Sequence, residues 1–233
     1  MKYKSKGRGM KKLFKTIILL FAASFILTGC ALSRSELDLS EAISNDIQTA
    51  ENEKTVIIDK YTDHRTFATN ASTPDQPTYD PGEVFNDEVK SKLIGRKRNG
   101  YGKALGDIVL AKNLTTEKIV KNIVSKAFSD AGYSVVTEDP NNKAVHVNID
   151  LDKFWSWVDL GFWTVGVQAN INYSLELTYG NKSETINTYV VGEERSAIAV
   201  TPGLWKEAYL KTIDNSKKDL SKKIKKSEFL NNQ

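Results

Sequence analysis

A period of two running from Val165 to Thr178 constrains the fold of this chain more than any other feature. Val165, Val167, Ala169, Ile171, Tyr173, Leu175 and Leu177 alternate with Gly166, Gln168, Asn170, Asn172, Ser174, Glu176 and Thr178. Successive side chains on a strand face opposite ways, so the pattern predicts one buried and one wet face, as in an antiparallel sheet. The same alternation comes before it: Val145, Val147, Ile149 and Leu151 oppose His146, Asn148, Asp150 and Asp152. Gly180-Asn181 then predicts a turn into a third strand over Glu184 to Gly192.

A half-buried sheet needs a cover, and two stretches have the helical period to supply it. Ile119, Val120, Ile123, Val124, Ala127, Phe128 and Ala131 fall on one face of a helix, capped by Thr115 or Thr116 and ended at Gly132. Trp205, Ala208, Tyr209, Ile213, Leu220 and Ile224 form the stripe of a last helix, which is expected from about Leu204 to Lys226, after a break at Pro202 and Gly203. Earlier, Thr55 to Phe67 reads as a strand and Ala68 to Glu83, with three prolines, as a surface loop. Lys92 to Arg98 and Ala104 to Leu110 read as a hairpin turning at Asn99-Gly100. The expected class is α+β: a two-layer sandwich, mainly an antiparallel sheet, with two long helices packed on one face.

The N-terminus adds an address. Seven basic residues, Lys2 to Lys15, precede an apolar run from Thr16 to Leu27 and then Leu27-Thr28-Gly29-Cys30. The run is shorter than the roughly 20 residues that span a bilayer core. Leucine, threonine, glycine and cysteine match the bacterial lipobox, so residues 1–29 resemble a lipoprotein signal peptide, with Met1 or Met10 as the start, and Cys30 resembles a lipidation site. Ordinary signal-peptidase cleavage beside Gly29 and Ala31, or a buried structural cysteine, are the alternatives. Lipoproteins of this kind carry three acyl chains, and two already anchor stably. Ala31, rather than aspartate, after the cysteine resembles the Gram-negative signal for the outer membrane. Residues 30–54 are polar and read as a flexible tether, leaving 55–233 as a single periplasmic domain.

Cleavage after Gly29 would remove seven basic and no acidic residues, taking the formal net charge from +4 to −3. A mildly acidic domain has no global attraction for phosphates, so no nucleic-acid partner is expected. The chain has one cysteine and two histidines, and neither His64 nor His146 has a partner at metal-ligand spacing, so no metal or other cofactor is expected. His146 beside Asp150 and Asp152 could make a cation or acid–base site, and a solvated strand face explains the same pattern. No phosphate-binding Gly-Lys-Ser/Thr loop or G-x-S-x-G elbow is present.

The densest unusual stretch is FWSWVDLGFW, residues 154–163, expected as a loop joining two strands. Trp155, Trp157, Phe162 and Trp163 are candidates to touch a membrane or partner, or else to close the end of the core. The lysines from Lys217 to Lys226, and Arg96, Lys97 and Arg98, could meet anionic groups or simply form solvated faces.

The lipobox, the stretch TTEKIVKNIVSKAFSDAGYSVV, the strand NIDLDKFW and the hairpin INYSLELTYGNKSETINTYVVGE together resemble the YajG-like family of bacterial lipoproteins. The resemblance runs from Thr55 to about Lys226. It implies a Gram-negative envelope lipoprotein, of a family whose molecular role is not established, with Cys30 as the one functional residue carried over. The expected role is a non-catalytic binding or structural accessory protein, held to the membrane through Cys30 and with an envelope protein as candidate partner. A lipid or small-ligand carrier subunit of an envelope transport system is the alternative. The aromatic stretch and the Pro74 to Pro81 segment depart from the family pattern.

Overall fold

A computed structural model describes residues 34–49, 54–111, 113–139 and 141–232. Its architecture is α+β, with an eight-stranded mixed sheet and four helices, two of them long. In chain order the elements are β1 (Ser35–Leu37), β2 (Thr55–Asp63), α1 (Asp87–Lys92), β3 (Leu93–Arg98), β4 (Ala104–Leu110), α2 (Thr116–Asp130), β5 (Ser134–Val136), β6 (Val145–Leu160), β7 (Val165–Tyr179), β8 (Lys182–Ser196), α3 (Pro202–Lys226) and α4 (Glu228–Asn231).

β6, β7 and β8 form the long antiparallel meander that the alternation predicts, with Gly180 at φ +57° opening the turn between β7 and β8. The rest of the sheet corrects the mainly antiparallel expectation. β6 carries β7 along one edge, while its other edge is shared by two parallel partners placed end to end. β2 pairs with its first half, from Val145 to Leu151, and β3 meets its second half at Ser156. β2 continues to β5 and β3 to β4 and β1, so the sheet forks at the middle of β6.

Arg65 fills the fork. Its guanidinium donates to the carbonyls of Leu93 (2.9 Å) and Phe154 (3.2 Å) and pairs with Asp63 at 2.7 Å. Carbonyls left without a ladder partner where two strands part are thereby satisfied by one buried side chain.

The two long helices pack against each other and onto the sheet, and their apolar stripes join the inward residues of β6 and β7 in a continuous core. α2 is capped by Thr115, whose Oγ1 accepts from the Lys118 N–H at 3.2 Å. It ends in a Schellman arrangement: Tyr133 N–H reaches Phe128 O, Gly132 N–H reaches Ser129 O, and Gly132 sits at φ +93°. α3 starts earlier than expected, with Thr201 as its cap and Pro202 inside its first turn, where a missing N–H does no harm. On β8, Gly192 lets this helix approach closely, because a Cβ there would lie 2.9 Å from Ala208 O.

Residues 34–49, expected within the tether, lie on the domain. β1 pairs with β4, Leu37 and Leu39 are buried, and the Asn122 side chain holds both the N–H and the carbonyl of Ser44. Lys217 Nζ donates to Ala42 O and Ser44 Oγ at 2.6 and 2.7 Å, and burial lowers its pKa. Ala42 and Ile43 also pack against the core, and Glu41 and Asp46 pair with Lys206 and Lys126. Cys30 and the Leu27-Thr28-Gly29 motif lie outside the described residues.

Candidate functional site

FWSWVDLGFW is not one loop. β6 continues through it to Leu160, and a bulge between Leu151 and Lys153 reverses which residues face the core. Before the bulge the odd-numbered residues point inward, and after it the even-numbered ones do. Phe154 therefore stacks on Tyr209 in the core, with centroids 5.2 Å apart. Trp155 points to the opposite face and is nevertheless buried.

Its cover is the segment 64–86. Phe67 meets the Trp155 ring edge-on at 5.9 Å, Phe85 packs against Phe67 and Tyr79, and Trp155 Nε1 donates to Pro74 O at 3.3 Å. Asp75 pairs with Lys153 at 2.9 Å, and hydrogen bonds from Thr73 and then Lys153 lower its carboxyl pKa. The segment thus covers the second face of the sheet at Trp155. Trp157 is half-buried beside it, with Lys153 Nζ 5.5 Å from its ring centroid.

Phe162 and Trp163 are the exposed pair. The Gly161 N–H bonds the Thr164 carbonyl at 2.9 Å, which makes 161–164 a tight turn with both aromatics at its corners. Their rings meet at 4.7 Å, and the residues are 89% and 83% exposed. Corner positions usually hold small or polar residues, so two large rings there stand out.

Neighbouring turns reach the same end of the molecule. β3 runs parallel to β6, so the β3–β4 turn lies beside the β6–β7 turn. That turn spans five residues, not the expected two: Asn99 N–H bonds Lys103 O, Asn99 Oδ1 accepts from the Tyr101 and Lys103 N–H groups, and Gly102, not Gly100, takes positive φ. The pairing of Val165 with Ser196 brings the β8–α3 connection alongside. Tyr101 (98% exposed), Leu160 (65%) and Ile198 (94%) thus join Phe162 and Trp163 at one end.

Two clefts open there on either side of Val158, Leu160 and Arg98. One, of about 450 Å³, lies between Leu105, Val165, Val200 and Trp205. The other, of about 360 Å³, is bounded by Pro74, Arg96 and Trp157. Arg98 between them donates to Thr78 Oγ1 (2.6 Å) and Gly102 O (3.0 Å). Its Nε is buried with no hydrogen-bond partner among the described residues. Burial and the neighbouring Arg96 charge lower its pKa.

Other sequence candidates are dispersed. Asp150 faces His64 (3.0 Å), His146 faces Asp59 (2.8 Å), and Asp152 stands exposed at the bulge, so the histidine–aspartate trio does not converge. Arg96 is buried against Asp107 at 2.7 Å, and Lys97 donates to Ser35 Oγ. Lys218 and Lys223 pair with Asp214 and Asp219 one helical turn away. Among the described residues no cluster of histidine, cysteine, aspartate and glutamate is arranged to hold a metal ion. Sequence reasoning missed Tyr101 and Ile198 because single apolar residues in loops carry no periodic signal, and Leu160 because it is the last residue of a strand whose parity the bulge reverses; only turn chemistry brings the three together.

No family model matches the chain, and no curated protein matches it either. Among solved structures it is similar to an uncharacterized protein (TM-score 0.43, 8% identity, covering 82% of this chain and 97% of that one). It is also similar to a putative neuraminyllactose-binding hemagglutinin homolog from Helicobacter pylori (TM-score 0.32, 10% identity, covering 81% and 94%).

Proposed function

We propose that this chain is an envelope lipoprotein of the YajG-like type, anchored to the outer membrane through acylated Cys30 with its two-layer α+β domain in the periplasm. Its role is non-catalytic binding or structural support. The observation that carries the reading is the lipobox Leu27-Thr28-Gly29-Cys30 behind a basic head and a short apolar run. An end of the domain rich in exposed apolar side chains is consistent with a protein that works by contact.

Expression of the full chain in a Gram-negative host with labelled palmitate tests the anchor. Wild type takes up label and fractionates with the outer membrane, whereas Cys30→Ala takes up none. Unlabelled wild type would overturn the reading. The second reading, a lipid or small-ligand carrier, is favoured by the apolar cleft of about 450 Å³. A lipid retained stoichiometrically by the purified protein in native mass spectrometry would support it.

A further inference from the structure

We infer that the end carrying Tyr101, Leu160, Phe162, Trp163 and Ile198 lies against the lipid bilayer in which Cys30 is anchored. The inference rests on the anchor reading and adds which face of the domain the membrane meets. β1 is parallel to β4, with Ser35 beside Ile108 and Leu37 beside Leu110. β4 begins at the hairpin turn and runs away from it, so the chain comes into β1 from the side of that turn. Ser35 stands only four strand positions from Ala104, a distance of about 13 Å.

Cys30 precedes Arg34 by four residues, and a chain of that length spans at most about 14 Å. Residues 34–49 do not lengthen this leash, because they are fixed to the domain by β1, Leu37, Leu39 and Asn122. Acyl chains on Cys30 therefore hold the domain within a short reach of the bilayer. The side from which the chain arrives is the side that carries the exposed rings.

The chemistry of that end suits a lipid interface. Tryptophan and tyrosine partition to the headgroup level, and leucine, isoleucine and phenylalanine reach the acyl boundary. Val84 (78% exposed) follows Glu83, which pairs with Arg34, so an apolar side chain also stands where the leash begins. Lys103, in the hairpin turn, is exposed and supplies positive charge for lipid phosphates.

The test uses the full-length acylated protein reconstituted in phosphatidylethanolamine–phosphatidylglycerol vesicles with and without brominated acyl chains. Trp163 is 83% exposed, whereas Trp155 and Trp205 are buried. Wild-type tryptophan emission is expected to be quenched by the brominated lipid, and Trp163→Phe, on an exposed corner, removes most of the quenched component, the half-buried Trp157 at the same end supplying the remainder. Palmitate label is read on the same preparation. Labelled protein whose emission is indifferent to bromine turns this end toward water or a protein partner and overturns the inference while leaving the anchor intact. Unlabelled protein overturns the anchor reading, and this inference with it.

Discussion

Arg65 occurs in the run DHRTF, which reads as the polar end of a strand, yet the residue is 2% exposed. Its charge is stabilised by Asp63, and its remaining donors meet backbone carbonyls of β3, β6 and α1. Removing one partner from such a buried arrangement typically costs about 3–5 kcal/mol, because the other partner keeps its desolvation penalty. Arg65→Met keeps most of the apolar stem and should lower stability by about that amount, read as the shift in urea midpoint at constant slope. Nothing in local sequence marks this arginine, since its role depends on where two distant strands end. Thr115, Gly132 and Gly180 were legible because each acts on backbone atoms within a few residues of itself.

At the scale of elements, the meander and both long helices follow from hydrophobic period. The aromatic stretch does not, because one extra residue at the β6 bulge reverses the inward parity and makes a continuous strand look irregular. A hidden second layer follows: the proline-bearing segment 64–86 is held down on Trp155 and tied by Asp75 to Lys153. Because the folded carboxyl of Asp75 has a lowered pKa, the unfolded chain takes up its proton first on acidification. Its stabilisation is thus full above the ordinary aspartate value of 3.8 and is lost as pH falls through the lower folded value. Asp75→Asn should lower the melting temperature at neutral pH, and that gap should close progressively below the ordinary value; a calorimetric pH series on both proteins checks it.

For the whole molecule, β6 is the element on which the sheet depends. It joins β2 with β5 on one branch, β3 with β4 and β1 on the other, and β7 with β8 behind. The parallel pairings were not legible, because strands of period two declare a face but not a distant neighbour or its direction. A chain ending at Ala144 has both branches and lacks the strand that joins them, so it should give no cooperative thermal transition by circular dichroism where the full chain gives one. The same dependence governs timing. As the chain emerges from its N-terminus, β1 waits for β4 and β2 waits for β6, and long-range pairings of this kind close slowly. The branch of β2 and β5 and the branch of β3, β4 and β1 thus stay unjoined until β6, their late organiser, has been made.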